Sequence, residues 1–333
     1  MRRTVALLGG IYHADAEKVL RERANVLALE RPTPGEIAAA LADAHGAIAR
    51  YPYRVDAATL AAAKHLVIVA SSGRGTDAID VAACSERGVA VVNNPGLGTI
   101  PVSEHALAMM LALSRRLYAT DRALRAGGAW NRRTDFDVRD VNGRTIGIVG
   151  LGLIGTEMAR KCIAAFGMKV LAYDPHVPPA KAQALGATML GDLGALLERS
   201  DVVSMHPELN DETRGMIGAP ELRRMQRHAF LINTARGKVV QQQALERALA
   251  EGWIAGAALD VFEDEPLAEP SPLWQFDNLL LTPHVAGLSG DAMYDLAHSA
   301  VNQVLAALAG ERPRHLVNPK AWEPAMARLA RSA

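Results

Sequence analysis

The sequence predicts an α/β protein made of two doubly wound, mostly parallel β-sheets. Short apolar runs alternate with Ala-rich helical patterns along nearly the whole chain, as parallel strands alternate with their crossover helices. A turn-rich segment at residues 93–98 interrupts the alternation, which resumes with stronger strands at Thr145. The length of 333 residues accommodates two domains, each with its own core.

The N-terminal part of the chain contains the elements of the first sheet. Its predicted strands are Val5–Leu8, Val26–Leu29, Ala47–Ala49, Leu66–Ala70 and Val89–Val92. Its predicted helices are Ala16–Arg23, Thr33–Ala44, Ala57–Ala63 and Ile79–Glu86. The order Thr33-Pro34-Gly35-Glu36 supplies a capping hydroxyl, a first-turn proline and a carboxylate at the third helical position, which is typical of a helix start.

A single long helix is predicted at Ser103–Arg125, after the turn-rich segment. One face of it is strongly apolar and consists of Ala106, Met109, Met110, Leu113 and Leu117. Such a face fits a helix in the core of one domain. It fits equally a helix that packs, with Trp130 just beyond it, against a second subunit.

Further apolar runs from Thr145 onward predict a self-contained second sheet. They are Ile146–Gly150, Lys169–Asp174, Val202–His206, Ala229–Thr234, Gly256–Val261 and Leu279–Pro283. One more helix is predicted at Asp291–Leu308, and a polar end at Glu311–Ala333 follows it.

Charge and cysteine content exclude several classes of function. Lys and Arg number 36 and Asp and Glu also 36, so a net charge of zero offers no electrostatic footprint for nucleic acid or an acidic membrane surface. No apolar run has the roughly 18 residues of a membrane helix, and the first strand is too short for a signal-peptide core. Cys84 and Cys162 lie in Ala-rich helical stretches, which indicates buried thiols and a reducing compartment. We therefore expect a cytoplasmic protein that acts on a small molecule.

A glycine-rich turn between a strand and a helix predicts a dinucleotide site. Gly150, Gly152 and Gly155 have the spacing GxGxxG, in which the first permits a tight turn, the second admits a pyrophosphate and the third allows close helix–strand packing. The next strand ends in Asp174, 19 residues after Gly155, where an acid binds ribose hydroxyls. Because this carboxylate would repel the extra phosphate of NADP, NAD is the expected cofactor.

Polar side chains follow the later strands of this sheet, at the edge where ligands bind. His206, Arg236 and His284 follow three of the strands, and Asp260 and Glu265 follow a fourth. An arginine offers a bidentate fork for a carboxylate, and a histidine beside a carboxylate can exchange a proton near neutral pH. Each residue alone is ordinarily a surface or structural group. Together, beside a nicotinamide, they suit hydride transfer at a carbonyl or carbinol carbon.

These motifs together resemble the D-isomer-specific 2-hydroxyacid dehydrogenase family. The resemblance rests on Gly150–Gly155 with Asp174, NTARG at 233–237, ALDVF at 258–262 with Glu265, TPHVAG at 282–287, and upstream GRGTDAID at 73–80, NPG at 94–96 and VSEH at 102–105. So many motifs in this order cover nearly the whole chain and are highly specific.

The resemblance implies a domain arrangement, a cofactor and a subunit contact. Residues 1–99 and 288–333 would form a substrate-binding domain, and residues 100–287 an NAD-binding domain, with a cleft separating these Rossmann-like or flavodoxin-like domains. Homodimers would form largely through the helix at 103–125. The NAD contacts would come from Gly150, Gly152, Leu153, Ile154, Gly155, Asp174, His206, Thr213, Thr234, Ala235, Asp260 and Gly287.

The resemblance also implies roles for substrate-binding and catalytic residues. Arg236 would bind the substrate carboxylate and polarise the keto group. His284 would exchange the proton at the carbonyl oxygen as hydride moves, and Glu265 would keep that imidazole protonatable. Backbone amides around Gly73 and Gly75 would hold the same carboxylate.

Three stretches depart from the family pattern. Arg74 stands where a small apolar residue is usual, and it would either pair with a second anionic group of the substrate or point to solvent. Arg50 matches a position that faces phosphorylated substrates in some members, whereas Tyr51 and Tyr53 indicate an aromatic pocket wall. The stretch HPELNDET at 206–213 lacks the usual leucine and proline after its histidine. The substrate could therefore be phosphorylated, dicarboxylic or merely small.

We predict an NAD-dependent enzyme that interconverts a D-2-hydroxy acid and its 2-keto acid, without a metal because the histidines lack ligand spacing. Two alternatives stay open. One is a non-catalytic NAD-sensing corepressor, although only Glu311–Ala333 follows the last predicted helix as a tail. The other is a dehydrogenase of a small anion such as phosphite, which Arg74 leaves possible, whereas Glu265 disfavours formate.

Overall fold

The computed structural model describes residues 2–331 and divides into two compact units. The split unit consists of Met1–Gly98 and Leu288–Ala333, and the central unit is Thr99–Gly287. Each contains one wholly parallel sheet with flanking helices, which confirms the predicted fold class. Within residues 2–331, no helix has the length and apolar character needed to cross a membrane.

Strands and helices alternate along the chain. The strands are β1 Thr4–Leu8, β2 Asn25–Leu29, β3 Gly46–Ala49, β4 Ile68–Ser71, β5 Ala90–Val92, β6 Thr145–Val149, β7 Lys169–Tyr173, β8 Thr188–Met189, β9 Val202–Met205, β10 Phe230–Asn233, β11 Gly256–Leu259 and β12 Leu279–Leu281. The helices are α1 Ala14–Arg23, α2 Pro34–Asp43, α3 Val81–Glu86, α4 Thr99–Ser114, α5 Leu117–Arg125, α6 Leu153–Phe166, α7 Pro179–Ala184, α8 Leu193–Arg199, α9 Ala219–Arg224, α10 Gln242–Ala250, α11 Gly290–Leu308 and α12 Trp322–Arg331. Every predicted strand is present, and α2 begins with the predicted capping box between Thr33 and Glu36.

The sheet of the split unit has the strand order β2-β1-β3-β4-β5, which is the flavodoxin-like order. Helix α11 covers one face with Ala297, Val301 and Val304, all fully or almost fully buried. Gly46 permits this close packing, because a Cβ there would lie 2.9 Å from Val304 Cγ1. The chain thus returns after the central unit to complete the core of the split unit.

The sheet of the central unit has the order β12-β11-β10-β9-β6-β7-β8. Its first strand, β6, lies between β9 and β7, so the order in which strands are added to the sheet reverses at β6. In such sheets the loops after the two strands at the reversal, here β6 and β9, border the ligand crevice. Helix α4 buries Ala106, Met109 and Met110 against one face. That burial supports the core interpretation for this part of the predicted long helix.

The prediction of one helix over 103–125 is wrong. Helix α4 ends at Ser114 and α5 begins at Leu117, and between them Arg116 has a left-handed φ of 52°. The Ser114 carbonyl accepts the Arg139 amide at 2.8 Å, an acceptor that a continuing helix would have used internally. The break turns Leu117 away from the core face, and 55% of its surface is exposed.

Two other predicted segments are also wrong. Ala57–Ala63 forms successive turns instead of a helix: the Ala61 and Ala63 amides donate to carbonyls three residues back, at 3.2 and 3.0 Å. The predicted polar end contains α12, which buries Trp322 and Leu329. The sequence also gave no sign of β8, a two-residue strand at the sheet edge.

Both cysteines are free and buried, as predicted. Burial raises the pKa of the Cys84 thiol and of the Cys162 thiol to about 12. Neither is therefore a thiolate nucleophile at neutral pH.

Candidate active site

The glycine-rich turn lies between β6 and α6 and has no room for side chains at two positions. Gly150 has φ of +89°, and a Cβ there would lie 2.7 Å from the backbone carbon of His206. A Cβ on Gly155 would lie 2.0 Å from the Gly150 carbonyl oxygen. Among residues 2–331, nothing lies within 4 Å of a Cβ at Gly152 and no side chain caps α6 there. The amide end of α6 is therefore open to an anion such as a pyrophosphate.

Asp174 follows β7 and holds the glycine-rich turn from one side. Its Oδ2 accepts the Leu151 amide at 2.8 Å, and its Oδ1 accepts the His176 amide at 3.0 Å. Lys181 also holds this turn, because its Nζ donates to the Leu151 carbonyl at 2.7 Å. The carboxylate is thus fixed beside the open end of α6, where Leu153 is exposed.

Two buried polar atoms without partners follow the neighbouring strands β9 and β10. His206 Nε2 lies 2.9 Å from Ser204 Oγ, whereas within residues 2–331 His206 Nδ1 and Thr234 Oγ1 have no hydrogen-bond partner. Burial lowers the pKa of His206 to about 4, so its ring is neutral near pH 7. Buried polar groups are nearly always hydrogen-bonded. These two orphans and the open glycine turn fit a bound dinucleotide, which carries ribose hydroxyl and carboxamide groups.

Arg236 follows β10 in a tightly held turn. Asn233 accepts the Ala235 amide at 3.0 Å and donates from Nδ2 to the Arg236 carbonyl at 2.9 Å. Arg236 Nη1 donates to the Ala235 carbonyl at 2.7 Å, and the side chain is half-buried. The following position must be a glycine, because a Cβ on Gly237 would lie 1.8 Å from the Phe262 carbonyl carbon.

Glu265 and His284 form a close carboxylate–imidazole pair. Glu265 Oε2 lies 2.6 Å from His284 Nδ1, and Glu265 Oε1 accepts the Phe262 amide at 2.9 Å. The Glu265 side chain is 9% exposed and that of His284 is 39% exposed. A carboxylate accepts only, so His284 Nδ1 carries a proton and Nε2 is the ring nitrogen on the opposite side.

Asp260 is fully buried at the end of β11 and holds the loop that carries His284. Its Oδ1 accepts from Thr282 Oγ1 at 2.5 Å and from the Val285 amide at 2.9 Å, and its Oδ2 accepts the Ala286 amide at 2.9 Å. In the structure, the carboxylate of Asp260 therefore holds the loop at 282–286 in place. Its predicted contact with the nicotinamide stays a prediction.

Three other predicted cofactor contacts lie in ordinary structural settings. Thr213 closes the turn at 208–213, where its Oγ1 donates to the Glu208 carbonyl at 2.5 Å and accepts the Asn210 amide at 2.9 Å. Gly287 follows the His284 loop, and a Cβ there would lie 3.8 Å from Val102 Cγ2. Ile154 is half-buried in the first turn of α6. Their roles as NAD contacts stay predictions.

In the split unit, Arg50 follows β3 and lies among aromatic rings. Its guanidinium lies 4.7 Å from the centroid of the Tyr12 ring, and Nη1 lies 3.4 Å from the Gly9 carbonyl. Tyr53 covers Gly9, where a Cβ would lie 2.3 Å from the tyrosine ring. Tyr51 is exposed, and the aromatic pocket wall predicted from Tyr51 and Tyr53 stays a prediction.

The loop that contains Gly73, Arg74 and Gly75 is held by hydroxyl and amide side chains. Ser71 Oγ donates to the Gly75 carbonyl at 2.6 Å and accepts the Gly73 amide at 3.2 Å. Asn94 Nδ2 donates to the Ser71 carbonyl at 2.9 Å. Asn93 and Gln303 add further bonds, which include Asn93 Nδ2 to the Arg74 carbonyl at 2.8 Å and Gln303 Nε2 to the Asn93 carbonyl at 3.0 Å.

Sequence reasoning missed four side chains that support these sites. Lys181, Ser204, Thr282 and His105 all contact predicted residues or their loops. VSEH at 102–105 and TPH at 282–284 were visible motifs, but nothing in the sequence placed their side chains together.

Comparisons with known proteins agree with this geometry. The family model described as D-isomer specific 2-hydroxyacid dehydrogenase, NAD binding domain, matches residues 107–286. A glyoxylate reductase from Korarchaeum cryptofilum is 44% identical over 267 residues, which are 79% of this chain and 80% of the relative. A D-3-phosphoglycerate dehydrogenase from Archaeoglobus fulgidus is 38% identical over 277 residues, but this match spans only 52% of that relative.

A solved structure extends the similarity to the whole fold. The crystal structure of NADPH-dependent glyoxylate/hydroxypyruvate reductase from Sinorhizobium meliloti, in complex with citrate, has a TM-score of 0.84 and 30% identity. The match covers 96% of this chain and 99% of that chain.

The fold, the nucleotide turn and these matches define an NAD-binding oxidoreductase. The chain belongs to the D-isomer specific 2-hydroxyacid dehydrogenase family, and it is an NAD-dependent enzyme of 2-hydroxy acids. The family, the activity and the cofactor predicted from the sequence are confirmed. The corepressor and phosphite alternatives receive no support from the comparisons.

Proposed function

We propose that this enzyme interconverts a short 2-keto acid and its D-2-hydroxy acid with Arg236, Glu265 and His284 as its catalytic residues. The 2.6 Å contact between Glu265 Oε2 and His284 Nδ1 carries this proposal. It engages Nδ1, so that proton exchange falls to Nε2 on the opposite side of the ring, and it places a carboxylate against the imidazolium that forms when His284 gains a proton.

The reduction needs one hydride and one proton. NADH, when bound, would supply the hydride. His284 Nε2 donates the proton to the carbonyl oxygen, and in oxidation the same atom accepts it from the hydroxyl. Arg236 binds the substrate carboxylate through two parallel N–H bonds and draws electron density toward the carbonyl oxygen. Glu265 keeps the ring oriented through both steps.

The cofactor would be held by groups of the central unit. The open end of α6 would bind the pyrophosphate, Asp174 the adenosine ribose, and the orphaned His206 and Thr234 atoms the nicotinamide end. The other predicted contacts keep this proposed role: Leu153, Ile154, Thr213, Ala235, Asp260 and Gly287. Since the fixed Asp174 carboxylate would repel a second phosphate, we propose that NAD is preferred over NADP.

The proposed substrate is glyoxylate or a similarly short 2-keto acid. The glyoxylate reductase relative matches along most of its length, whereas the phosphoglycerate dehydrogenase relative matches along about half. On the split unit, the backbone around Gly73 and Gly75 would bind the carboxylate. Arg50 and Arg74 would limit the size and charge of the remaining substituent.

A keto-acid panel tests the proposal. Purified protein with NADH and, in parallel, NADPH is given glyoxylate, hydroxypyruvate, phosphohydroxypyruvate or phenylpyruvate. We expect the highest kcat/KM with glyoxylate or hydroxypyruvate and NADH. Binding of NADH without turnover of any keto acid would contradict the proposal, and a preference for phosphohydroxypyruvate would contradict the proposed substrate.

We further propose a cytoplasmic homodimer. Its proposed contact is centred on α5 and the turn after it, because α5 buries none of its residues and Leu117, Tyr118, Leu124 and Trp130 are all more than half exposed. Two free thiols are consistent with a reducing compartment. Light scattering should show a dimer that Leu124→Glu dissociates, and a monomeric unaltered protein would contradict the proposed contact.

A further inference from the structure

The buried residue Asp260 holds three consecutive amides of the loop that carries His284, one through its backbone carbonyl and two through its carboxylate. The amide of His284 donates to the Asp260 carbonyl oxygen at 2.8 Å, that of Val285 to Oδ1 at 2.9 Å, and that of Ala286 to Oδ2 at 2.9 Å. These bonds hold His284 at φ 53°, in the left-handed region that non-glycine residues rarely adopt. Such a conformation persists only where the surroundings enforce it.

A side chain of α4 extends this arrangement. His105 Nε2 lies 3.0 Å from Thr282 Oγ1 and 3.7 Å from Asp260 Oδ1. The single Thr282 hydroxyl proton is donated to Asp260 Oδ1 at 2.5 Å, so the hydroxyl oxygen can only accept from His105. His105 therefore carries its proton on Nε2, and the hydrogen bonds run from His105 through Thr282 to Asp260.

We propose that His105 is a positioning residue for the proton transfer that we assign to His284. It fixes the Thr282 hydroxyl, the hydroxyl fixes the rotamer of Asp260, and Asp260 fixes the backbone that sets the direction of the His284 ring. His105 lies in the core helix α4 and touches neither Glu265 nor His284 in the contacts described. Its effect must therefore pass through Thr282 and Asp260. This inference rests on the proposed function only for its catalytic consequence.

Four variants test the proposal in the full-length protein. His105→Leu removes the donor, His105→Gln restores an N–H donor, Thr282→Val interrupts the hydrogen bonds at the next position, and a double variant combines His105→Leu with Thr282→Val. Glu104→Gln is the matched control, because Glu104 neighbours His105 in the chain but is exposed and pairs with Lys161 at 3.3 Å. Amide hydrogen exchange by mass spectrometry monitors Val285 and Ala286, and steady-state kinetics give kcat and KM.

We expect His105→Leu to lower kcat about 10-fold or more while KM for NADH changes less than about threefold, since loss of an outer support typically costs about 10- to 100-fold. Exchange at Val285 and Ala286 should be at least about tenfold faster. His105→Gln should recover kcat to within about threefold of the unaltered enzyme, and the double variant should equal Thr282→Val alone.

The proposal is overturned if His105→Leu leaves kcat within about twofold, or if His105→Gln loses as much activity as His105→Leu. If His105→Leu does not fold, unchanged exchange at Val285 and Ala286 in Thr282→Val overturns the proposal equally. The exchange measurement needs no turnover. It therefore tests the positioning role even if no keto acid is reduced, which would count against the proposed function alone.

Discussion

The two units carry parallel sheets of the same kind, yet the loops at the carboxyl ends of their strands are held by different chemistry. In the split unit, the loop around Gly73 is held by the neutral side chains Ser71 and Asn94. In the central unit, the loop around His284 is held by the carboxylates of Asp260 and Glu265. Neutral hydroxyl and amide groups only hold the backbone in place. A carboxylate holds it too, but also places a negative charge near a neighbouring imidazole.

In the proposed function the two units contribute differently to the reaction. The loop of the split unit would bind the substrate carboxylate, so changes there should act mainly on KM. The central unit would also transfer the proton, so changes to its carboxylates should act mainly on kcat.

Glu265→Gln should lower kcat more than the other supporting changes described below. The amide oxygen can still accept the Phe262 N–H, but the group no longer balances an imidazolium at His284. We expect kcat to fall about 100-fold while KM for the keto acid stays within about threefold. Glu263→Gln, which alters a neighbouring acid that accepts the Gln242 amide at 3.2 Å, is the control. Equal losses in both variants would contradict a special role for Glu265.

Asn94→Ala tests the neutral counterpart in the split unit. The variant removes the bonds from Asn94 Nδ2 to the Ser71 and Gly73 carbonyls, at 2.9 and 3.3 Å. We expect KM for the keto acid to rise about tenfold, kcat to change less than about threefold, and the free energy of unfolding to fall by about 1–3 kcal/mol. Asn302→Ala, on the exposed side of α11, should change none of these. A fall in kcat without a rise in KM would contradict the proposed role of the split unit in substrate binding.

His206 should add an acid sensitivity to the stability of the fold. Burial lowers its pKa from 6.5 to about 4, so the unfolded chain binds the extra proton between these pH values and the folded chain does not. Unfolding free energy should therefore fall by up to about 3 kcal/mol as pH drops from 6.5 to 4. Urea titrations of His206→Gln should lack this component, whereas His176→Gln, at an exposed site, should retain it. An unchanged slope in His206→Gln would contradict the account.

The sequence alone predicted the elements whose signals are local. The apolar runs located the strands, the GxGxxG spacing located the turn after β6, and the strand-end positions of Glu265 and His284 anticipated their contact at 2.6 Å. Each of these depends on residue spacing or on the shared edge of a parallel sheet.

Long-range partners could not be predicted in the same way. His105 and Thr282 are 177 positions apart, and Gln303 and Asn93 are 210 apart, so no local pattern links them. Helix α4 ends at Ser114, whose carbonyl accepts a hydrogen bond from the distant Arg139 amide. Tertiary hydrogen bonds of this kind override helix periodicity, and only the folded chain shows them.

In the proposed mechanism, His284, held by Glu265, exchanges the proton with the substrate oxygen. Single-turnover oxidation of NADH by the best keto acid of the panel, compared between the unaltered enzyme and His284→Asn, tests this role, with NADH affinity measured by fluorescence. We predict that the variant is about 1000-fold slower and that its Kd for NADH stays within about twofold. A His284→Asn enzyme within about tenfold of the unaltered rate would contradict the claim.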